Sequence, residues 1–164
     1  MAKKDPMPEL LRHWREAVPD DRLAHLIRDV ARAQMRALQL RLAEHGVSFG
    51  HWTFLRILWL KDGLTQRELS ELAGVMEPTT FAAVKAMEQM GLVERRQLAG
   101  NRKNMHVFLT RSGRALQKKL VPLAEEVNHV SVAGSTEAQV QAMRQFLLLM
   151  LENLAADAAG QPPA

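Results

Sequence analysis

Cationic side chains are concentrated in one short part of the chain, residues 94–114. This segment holds six Lys and Arg residues and a single acidic residue, a net charge of +5. The other 143 residues carry 16 basic and 17 acidic side chains, a net charge of −1. A positive charge confined to 21 residues is typical of a surface that meets a polyanion such as nucleic acid. The alternative is a solvated loop that is basic without having a partner.

The sequence holds no set of residues that indicates catalysis or metal binding. Cysteine is absent, which excludes disulfides, thiolate metal sites and cysteine-based redox sensing. The six histidines form no close pair with metal-ligand spacing, and there is neither a Gly-rich phosphate loop nor a Gly-x-Ser-x-Gly motif. We therefore expect no enzymatic activity, no catalytic residue, no metal and no cofactor.

Length and composition indicate one ordinary globular domain. The chain has 164 residues and a mass of 18.5 kDa, with 47% apolar and 24% charged residues. The longest apolar run, residues 146–151, is far shorter than the roughly 18–20 residues that a membrane helix needs. No apolar stretch follows the charged N-terminus, so a secretory signal is not expected. We expect a cytoplasmic protein without a membrane partner.

Hydrophobic periodicity predicts helices on both sides of the basic segment. Apolar residues recur at helical spacing over five spans: Pro8 to Val18, Leu23 to Leu42, Trp52 to Trp59, Leu116 to Val127 and Val140 to Leu154. Gly46 is predicted to end the second helix, Ser48 to cap the third and Thr110 the fourth. Either Ser135 or Thr136 can cap the last one. Residues 158–164 are predicted to be a disordered tail.

The centre of the chain has the pattern of a helix-turn-helix followed by a hairpin. Thr65 and Glu68 form a capping box that begins a short helix, and Gly74 follows it in a tight turn. Pro78 then opens a helix that runs to Met90. After Gly91 the apolar period changes from 3.6 to 2, which predicts two strands around a Gly100-Asn101 turn. The predicted fold class is mostly α with a small β-hairpin wing, a winged helix-turn-helix.

Three segments of this region resemble the MarR family of bacterial transcription regulators. They are residues 63–70 (GLTQRELS), 91–96 (GLVERR) and 109–113 (LTRSG). The resemblance implies a homodimer that binds a pseudo-palindromic operator in double-stranded DNA, and a small ligand that relieves binding. It places dimerisation in residues 1–45 and 112–157 and DNA binding in residues 46–111.

The wing departs from the usual pattern of that family. The family carries an acid two residues after the double arginine and an Asp-Arg-Arg at the tip, whereas this chain has Leu98 and Asn101-Arg102-Lys103. Asn101 can still accept a hydrogen bond, but it adds no charge attraction. We therefore expect Arg102 to be held less firmly than in the usual pattern.

The helix from Pro78 to Met90 is expected to bury Thr80, Val84 and Met87, which turns its opposite face, including Ala86, outward. That face offers thymine-methyl contacts and few bidentate base readers. The predicted DNA-binding residues are Gln66, Arg67, Pro78, Thr79, Phe81, Ala82, Lys85, Arg95, Asn101, Arg102 and Lys103. For Phe81 the alternative is a core or ligand-pocket aromatic, and for Arg67 a solvated arginine. Arg95 and Arg96 lie on opposite faces of a strand, so only one of them can face the duplex directly.

Two further expectations concern a second chain and an effector. Residues 146–151 are apolar all round the helix, so a second copy of the chain is the simplest cover for them, and the alternative is cover by residues 23–44 and 112–130 of the same chain. The resemblance implies an effector at the junction of the dimer helices and the winged lobe. Its candidate residues are His25, Arg28, His51, Trp52 and Arg56. Apolar walls with a few cations would suit an aromatic or acyl carboxylate, and the alternative for each residue is plain packing or exposure.

The leading hypothesis is thus a homodimeric, ligand-responsive repressor. The alternative from another class is a winged-helix protein–protein adaptor with little or no DNA binding, which the donor-poor reading helix would permit. The charge of the basic segment favours the first hypothesis.

Overall fold

A computed structural model describes residues 7–16, 23–98 and 101–161, with side chains for residues 11–15, 23–98 and 105–161. In these ranges the chain forms seven helices and three strands. The bounds are α1 Met7–Glu16, α2 Leu23–Ala43, α3 Phe49–Leu60, β1 Leu64–Thr65, α4 Gln66–Ala73, α5 Glu77–Gln89, β2 Val93–Leu98, β3 Asn101–Leu109, α6 Arg111–Ser131 and α7 Glu137–Ala158. Among these helices none is both long enough and apolar enough to cross a bilayer.

The chain divides into two compact units, one ending at Ala124 and the other beginning at Glu125. The core of the first unit is apolar and draws on α2, α3, α4, α5, the sheet and the start of α6. Its largest fully buried side chains include Leu42, Leu55, Leu58, Leu69, Met87 and Leu120. Burial of such residues is the main favourable term in folding, and here it fixes α4 and α5 against α3.

Helices α4 and α5 form the predicted helix-turn-helix. The Thr65 hydroxyl accepts from the Glu68 N–H, while the Glu68 carboxylate accepts from the Thr65 N–H at 2.8 Å, so the predicted capping box is confirmed. Hydrogen bonds from Thr65 lower the pKa of Glu68. Gly74 ends α4 in the left-handed region, and Pro78 lies in the first turn of α5 as predicted. On α4, Leu69 is fully buried, whereas Leu72 is exposed.

The sheet has three strands in the order β1-β3-β2, and β1 was not predicted. The wing hairpin pairs antiparallel from Val93 with Leu109 to Gln97 with Met105. Strand β1 has only two residues, Leu64 and Thr65, and pairs with β3. A strand this short has no period to recognise, and Thr65 also serves as the N-cap of α4.

The hairpin changes register near its tip. After Gln97 pairs with Met105, Leu98 pairs with Asn101, so β3 advances by four residues while β2 advances by one. Asn101 therefore lies in β3 rather than in the predicted Gly100-Asn101 turn. Residues 99 and 100 lie outside the described residues.

Two glycines are required by close approaches around the sheet. A Cβ at Gly63, whose φ is +75°, would lie 2.5 Å from the Phe108 ring. A Cβ at Gly113, in the first turn of α6, would lie 2.1 Å from the Leu92 carbonyl oxygen. The Thr110 hydroxyl accepts from the Gly113 N–H, which confirms the predicted cap of α6. These contacts hold the start of α6 against the entry to the wing.

Helix α7 begins with a capping box, in which Thr136 rather than Ser135 is the N-cap. Residues 158–161, which were predicted to be part of a disordered tail, instead complete the helix end: the N–H groups of residues 159–161 donate to carbonyls one turn back, and Gly160 has a φ of +70°. Residues 162–164 lie outside the described residues. No side chain of α7 is buried. Its large apolar side chains are 39–65% exposed: Met143, Phe146, Leu147, Leu148, Leu149, Leu151 and Leu154.

Candidate nucleic-acid interface

Helix α5 has the two faces that its sequence predicts. Thr80, Val84 and Met87 are buried against the core. The outward positions are exposed as expected: Pro78, Thr79, Phe81, Ala82 and Lys85. Ala86, which was also expected to point away, is half-buried because it lies beside Met87 at the edge of the packed face. The exposed face is mainly apolar, with Thr79 and Lys85 as its polar members.

Phe81 is half-exposed, with 49% of its surface open to solvent. This exposure rules out the alternative of a core aromatic. The Arg95 guanidinium carbon lies 5.9 Å from the centroid of the Phe81 ring, within the range of a cation–π contact.

Arg95 makes an ion pair with α5 and is not a free cation of the wing. Its Nη2 and Nε donate to Glu88 Oε2 at 2.7 and 3.1 Å, and its backbone N–H donates to Glu88 Oε1 at 3.3 Å. The Arg95 side chain is only 26% exposed, and its hydrogen bonds lower the pKa of Glu88. Sequence reasoning predicted Arg95 as a phosphate contact. In the structure Glu88 already neutralises the guanidinium, which makes it a poorer phosphate ligand.

Arg96 lies on the opposite face of β2, as the strand period predicts. Its guanidinium pairs with Glu94 and lies 4.9 Å from the centroid of the Phe108 ring. Glu94 and Arg96 thus form a second ion pair on the wing, separate from α5.

The start of α4 agrees only in part with the prediction of phosphate contacts. Arg67 is exposed, and its Nε donates to Glu71 Oε1 at 3.0 Å. Exposed i,i+4 pairs of this kind are weak, so Arg67 remains able to exchange Glu71 for a phosphate. Gln66 is half-buried, and its amide nitrogen is buried without a hydrogen-bond partner among the described residues. The Gln66 amide nitrogen is therefore shielded from solvent in this structure.

The cationic wing tip falls at the register change. Asn101, Arg102 and Lys103 have their backbone in β3, and their side chains lie outside the described residues. Arg102 and Lys103 occupy the stretch in which β3 gains residues relative to β2.

The five candidate effector residues lie on two helices that contact each other. His25 and Arg28 are exposed on α2, and Arg28 donates to Asp29 at 3.1 Å. His51, Trp52 and Arg56 lie on α3. Within the described part of the chain, no hydrogen bond, ion pair or ring contact joins any two of the five.

The members on α3 differ in environment. Arg56 is exposed, whereas Trp52 is buried and contacts Trp59 edge-on with ring centroids 5.6 Å apart. His51 is half-buried, and its Nδ1 is buried without a hydrogen-bond partner among the described residues. Burial lowers the pKa of His51, so the imidazole is neutral at pH 7.

The sequence analysis did not identify Glu88, which pairs with Arg95, or Ser70, which lies buried between α4 and α5. Ser70 on α4 bonds Thr80 on α5, which sets one helix against the other. A signal for Glu88 was present: an acid and a base seven residues apart on either side of the Gly91 turn can meet when the wing folds back on α5.

The chain resembles transcription regulators in sequence and in structure. The MarR family sequence profile matches residues 47–105. The regulator TtmR of Methylorubrum extorquens is 27% identical over 139 residues, which span 85% of this chain and 70% of TtmR. The solved transcriptional regulator PA3341 is 30% identical, with a TM-score of 0.71, over 81% of this chain and 98% of that one.

A solved complex with DNA is also similar. A MarR family regulator from Listeria monocytogenes, crystallised with a 26mer DNA, is 26% identical with a TM-score of 0.72, over 88% of this chain and 99% of that one. These relatives confirm the predicted fold class and the expectation of a regulator rather than an enzyme, and they favour DNA binding over the adaptor alternative. With its helix-turn-helix and wing in the arrangement described, this chain belongs to the MarR family and is a DNA-binding transcriptional regulator.

Proposed function

We propose that the protein is a homodimeric repressor that binds a pseudo-palindromic operator and is released by a small aromatic or acyl carboxylate. Residues 46–111 would form the DNA-binding lobe, and residues 1–45 and 112–157 would supply the dimer contacts. The observation that carries this proposal is the pair of surfaces on one chain: an exposed reading face on α5 and an uncovered apolar face on α7.

The apolar face of α7 supports dimerisation. Seven large apolar side chains on this helix are 39–65% exposed. Monomeric proteins rarely leave so large a contiguous apolar surface open to water. A second copy of the same helix offers a self-complementary partner, and two-fold pairing is the commonest symmetry of homo-oligomers.

The exposed face of α5 supports recognition in the major groove. The Thr79 hydroxyl can hydrogen-bond a base edge, and the Phe81 ring and the Ala82 methyl can pack on thymine methyl groups. Lys85 would meet phosphate, as would Arg67 and the wing-tip residues Arg102 and Lys103. Two such lobes related by a dimer axis would read half-sites about one turn, ~10 bp, apart.

The candidate effector site supports an anionic ligand of modest size. Arg28 and Arg56 are exposed arginines on the contacting helices α2 and α3. A carboxylate paired with such a guanidinium makes charge-assisted hydrogen bonds. The Nδ1 of His51 is buried without a hydrogen-bond partner in the part of the chain that the structure describes, and burial favours the neutral imidazole, so His51 would supply a hydrogen bond rather than a charge.

The dimer is tested by analytical ultracentrifugation of the full chain. The wild type should sediment as a dimer, and Leu151→Glu, which places a charge on the apolar face of α7, should sediment as a monomer. Leu60→Glu is the matched control, because Leu60 is an exposed leucine on α3. A wild-type monomer, or a Leu151→Glu variant that remains a dimer, would overturn the proposed interface.

The operator and effector are tested by selecting bound fragments from a random duplex pool. The selected sites should contain two inverted half-sites, and a site placed across a promoter should reduce transcription by purified polymerase. Benzoate and octanoate should release the complex, whereas the uncharged analogue benzamide should not. Fragments without inverted symmetry would contradict the dimeric reading. Equal effects of benzoate and benzamide would contradict a carboxylate effector.

A further inference from the structure

The contact between Glu88, Arg95 and Phe81 joins the wing to the reading face of α5. Glu88 and Phe81 lie on α5, seven residues apart, and Arg95 lies on β2. The Arg95 guanidinium makes two hydrogen bonds to Glu88 and lies over the Phe81 ring. One side chain of the wing therefore bridges two residues of the reading helix.

Hydrogen bonds to Glu88 from both the side chain and the backbone of Arg95 restrict the conformation of this arginine. Nε and Nη2 of the guanidinium both donate to the same oxygen, Glu88 Oε2, which restricts the orientation of the arginine plane. The backbone N–H of the same residue also donates to Glu88, so both the side chain and the strand are tied to α5. An arginine held in this way cannot bind a phosphate unless its ion pair with Glu88 breaks.

Phe81 gains a fixed position from this arrangement. A half-exposed aromatic ring on a helix surface normally samples several rotamers. The guanidinium on one side of the ring favours the rotamer in which the ring lies beside β2. The remaining exposed part of the ring is apolar, and the thymine methyl is the apolar group that the major groove presents.

We propose that Glu88 and Arg95 are positioning residues that hold the Phe81 ring as a reader of a thymine methyl group. This inference rests on the proposed function, in which the outer face of α5 contacts base edges. It assigns Arg95 a role in sequence preference rather than in phosphate binding. It assigns Glu88 a role in recognition although Glu88 does not itself contact the DNA.

The test replaces each thymine of the selected operator by deoxyuridine, which removes only the methyl group. At one thymine of each half-site, this replacement should lower the affinity of wild-type protein about three- to fivefold. That loss corresponds to the free energy of burying one methyl group. Phe81→Ala should abolish this difference between the two bases at that position. Glu88→Gln should reduce it, because the ring is no longer held.

The control is the other ion pair of the wing. Glu94→Gln removes the same charge from a pair that contacts Phe108 rather than Phe81. This variant should keep the full thymine–deoxyuridine difference. If Glu88→Gln keeps the difference as well, or if Glu94→Gln loses it equally, the positioning role is overturned.

The salt dependence of binding separates positioning from phosphate contact. Freed from its carboxylate in Glu88→Gln, Arg95 should add to the slope of log affinity against log salt, by roughly one per lobe. With Glu88 intact, Arg95→Gln should have the same slope as wild-type protein. A slope that falls on Arg95→Gln while the base difference is retained would make Arg95 a phosphate ligand and refute the proposal.

Two further outcomes keep the inference separate from the proposed function. If wild-type protein selects no operator, the proposed function fails. If an operator is selected but no thymine is sensitive to loss of its methyl, the proposed function stands and this inference fails. Should Glu88→Gln unfold, Arg95→Lys, which keeps the charge but loses the planar contact with Phe81, should show the same reduced base difference.

Discussion

The hydroxyl oxygens of Ser70 and Thr80 lie 2.7 Å apart inside the interface between α4 and α5. Both residues are shielded from water, at 4% and 0% exposure. Ser70 Oγ is also 2.8 Å from the Gln66 carbonyl oxygen. This chain of polar atoms lies in an otherwise apolar contact, so it specifies one relative position of the two helices that meet DNA.

Removing one hydroxyl of this pair should lower the free energy of unfolding by more than half of the loss that follows from removing both. Ser70→Ala leaves the Thr80 hydroxyl buried without its partner, which should lower the free energy of unfolding by about 1–3 kcal/mol. Adding Thr80→Val, of nearly the same shape, should recover part of that loss. Urea denaturation of the four proteins of the cycle measures the coupling, and additive losses would mean that the two hydroxyls act independently.

Gly113→Ala should destabilise the anchor of the wing. The added Cβ would lie 2.1 Å from the Leu92 carbonyl oxygen, which also accepts the Thr110 N–H at 3.0 Å. We expect a loss of about 1–3 kcal/mol in the free energy of unfolding, since backbone must move. Gly50→Ala is the control: this helical position meets only Ser48 Oγ at 3.8 Å, and alanine there should stabilise by about 0.4–1 kcal/mol. Equal effects of both substitutions would contradict this account.

His51 should make the protein less stable in mild acid. Its folded-state pKa lies below the unfolded value of about 6.5, so below that value the unfolded chain binds more protons. The stability associated with neutral His51 is therefore present above pH 6.5 and is lost as the pH falls through the lowered pKa. Urea denaturation of wild type and His51→Gln at pH 8 and pH 5 should show a smaller pH effect in the variant. The same substitution at exposed His45 controls for the loss of a histidine, and an unchanged pH effect in His51→Gln would show that another group is responsible.

Arg102→Ala should weaken operator binding and flatten its salt dependence. Each phosphate contact contributes about 0.9 to the slope of log affinity against log salt, so two wings should lose roughly two. Arg111→Ala is the matched control, because Arg111 belongs to the same basic segment but lies at the start of α6. A filter-binding or fluorescence titration at several salt concentrations measures both slopes. Identical slopes for wild type and Arg102→Ala would remove the wing tip from the interface.

The elements with strong local signals could be predicted from the sequence. The Thr65 capping box, the first-turn Pro78 and the buried stripe Thr80, Val84 and Met87 depend on residues within one or two turns of one another. Such patterns specify the local backbone directly, and the reading face of α5 follows from them as the face opposite the stripe.

The features that were missed depend on contacts between distant parts of the chain. Strand β1 exists because Leu64 meets Val107, 43 positions later, and no pattern within two residues can indicate that. The sequence predicts that Arg95 contacts a phosphate, because it shows the arginine but not that the Glu88 carboxylate pairs with it in the fold. The face of a helix on which a residue lies can therefore be predicted from the local pattern, whereas the partner of a side chain cannot.

The register change at the end of the hairpin divides the wing into a regularly paired part and a tip. Pairing from Val93 with Leu109 to Gln97 with Met105 is regular and is tied to α5 and α6. Because the register already changes beyond Gln97, we expect a longer, shorter or differently charged tip to leave the pairing from Val93 to Gln97 intact. The tip is thus an exchangeable module: its reach along the flanking duplex can evolve, or be engineered, while the bases read by α5 stay the same.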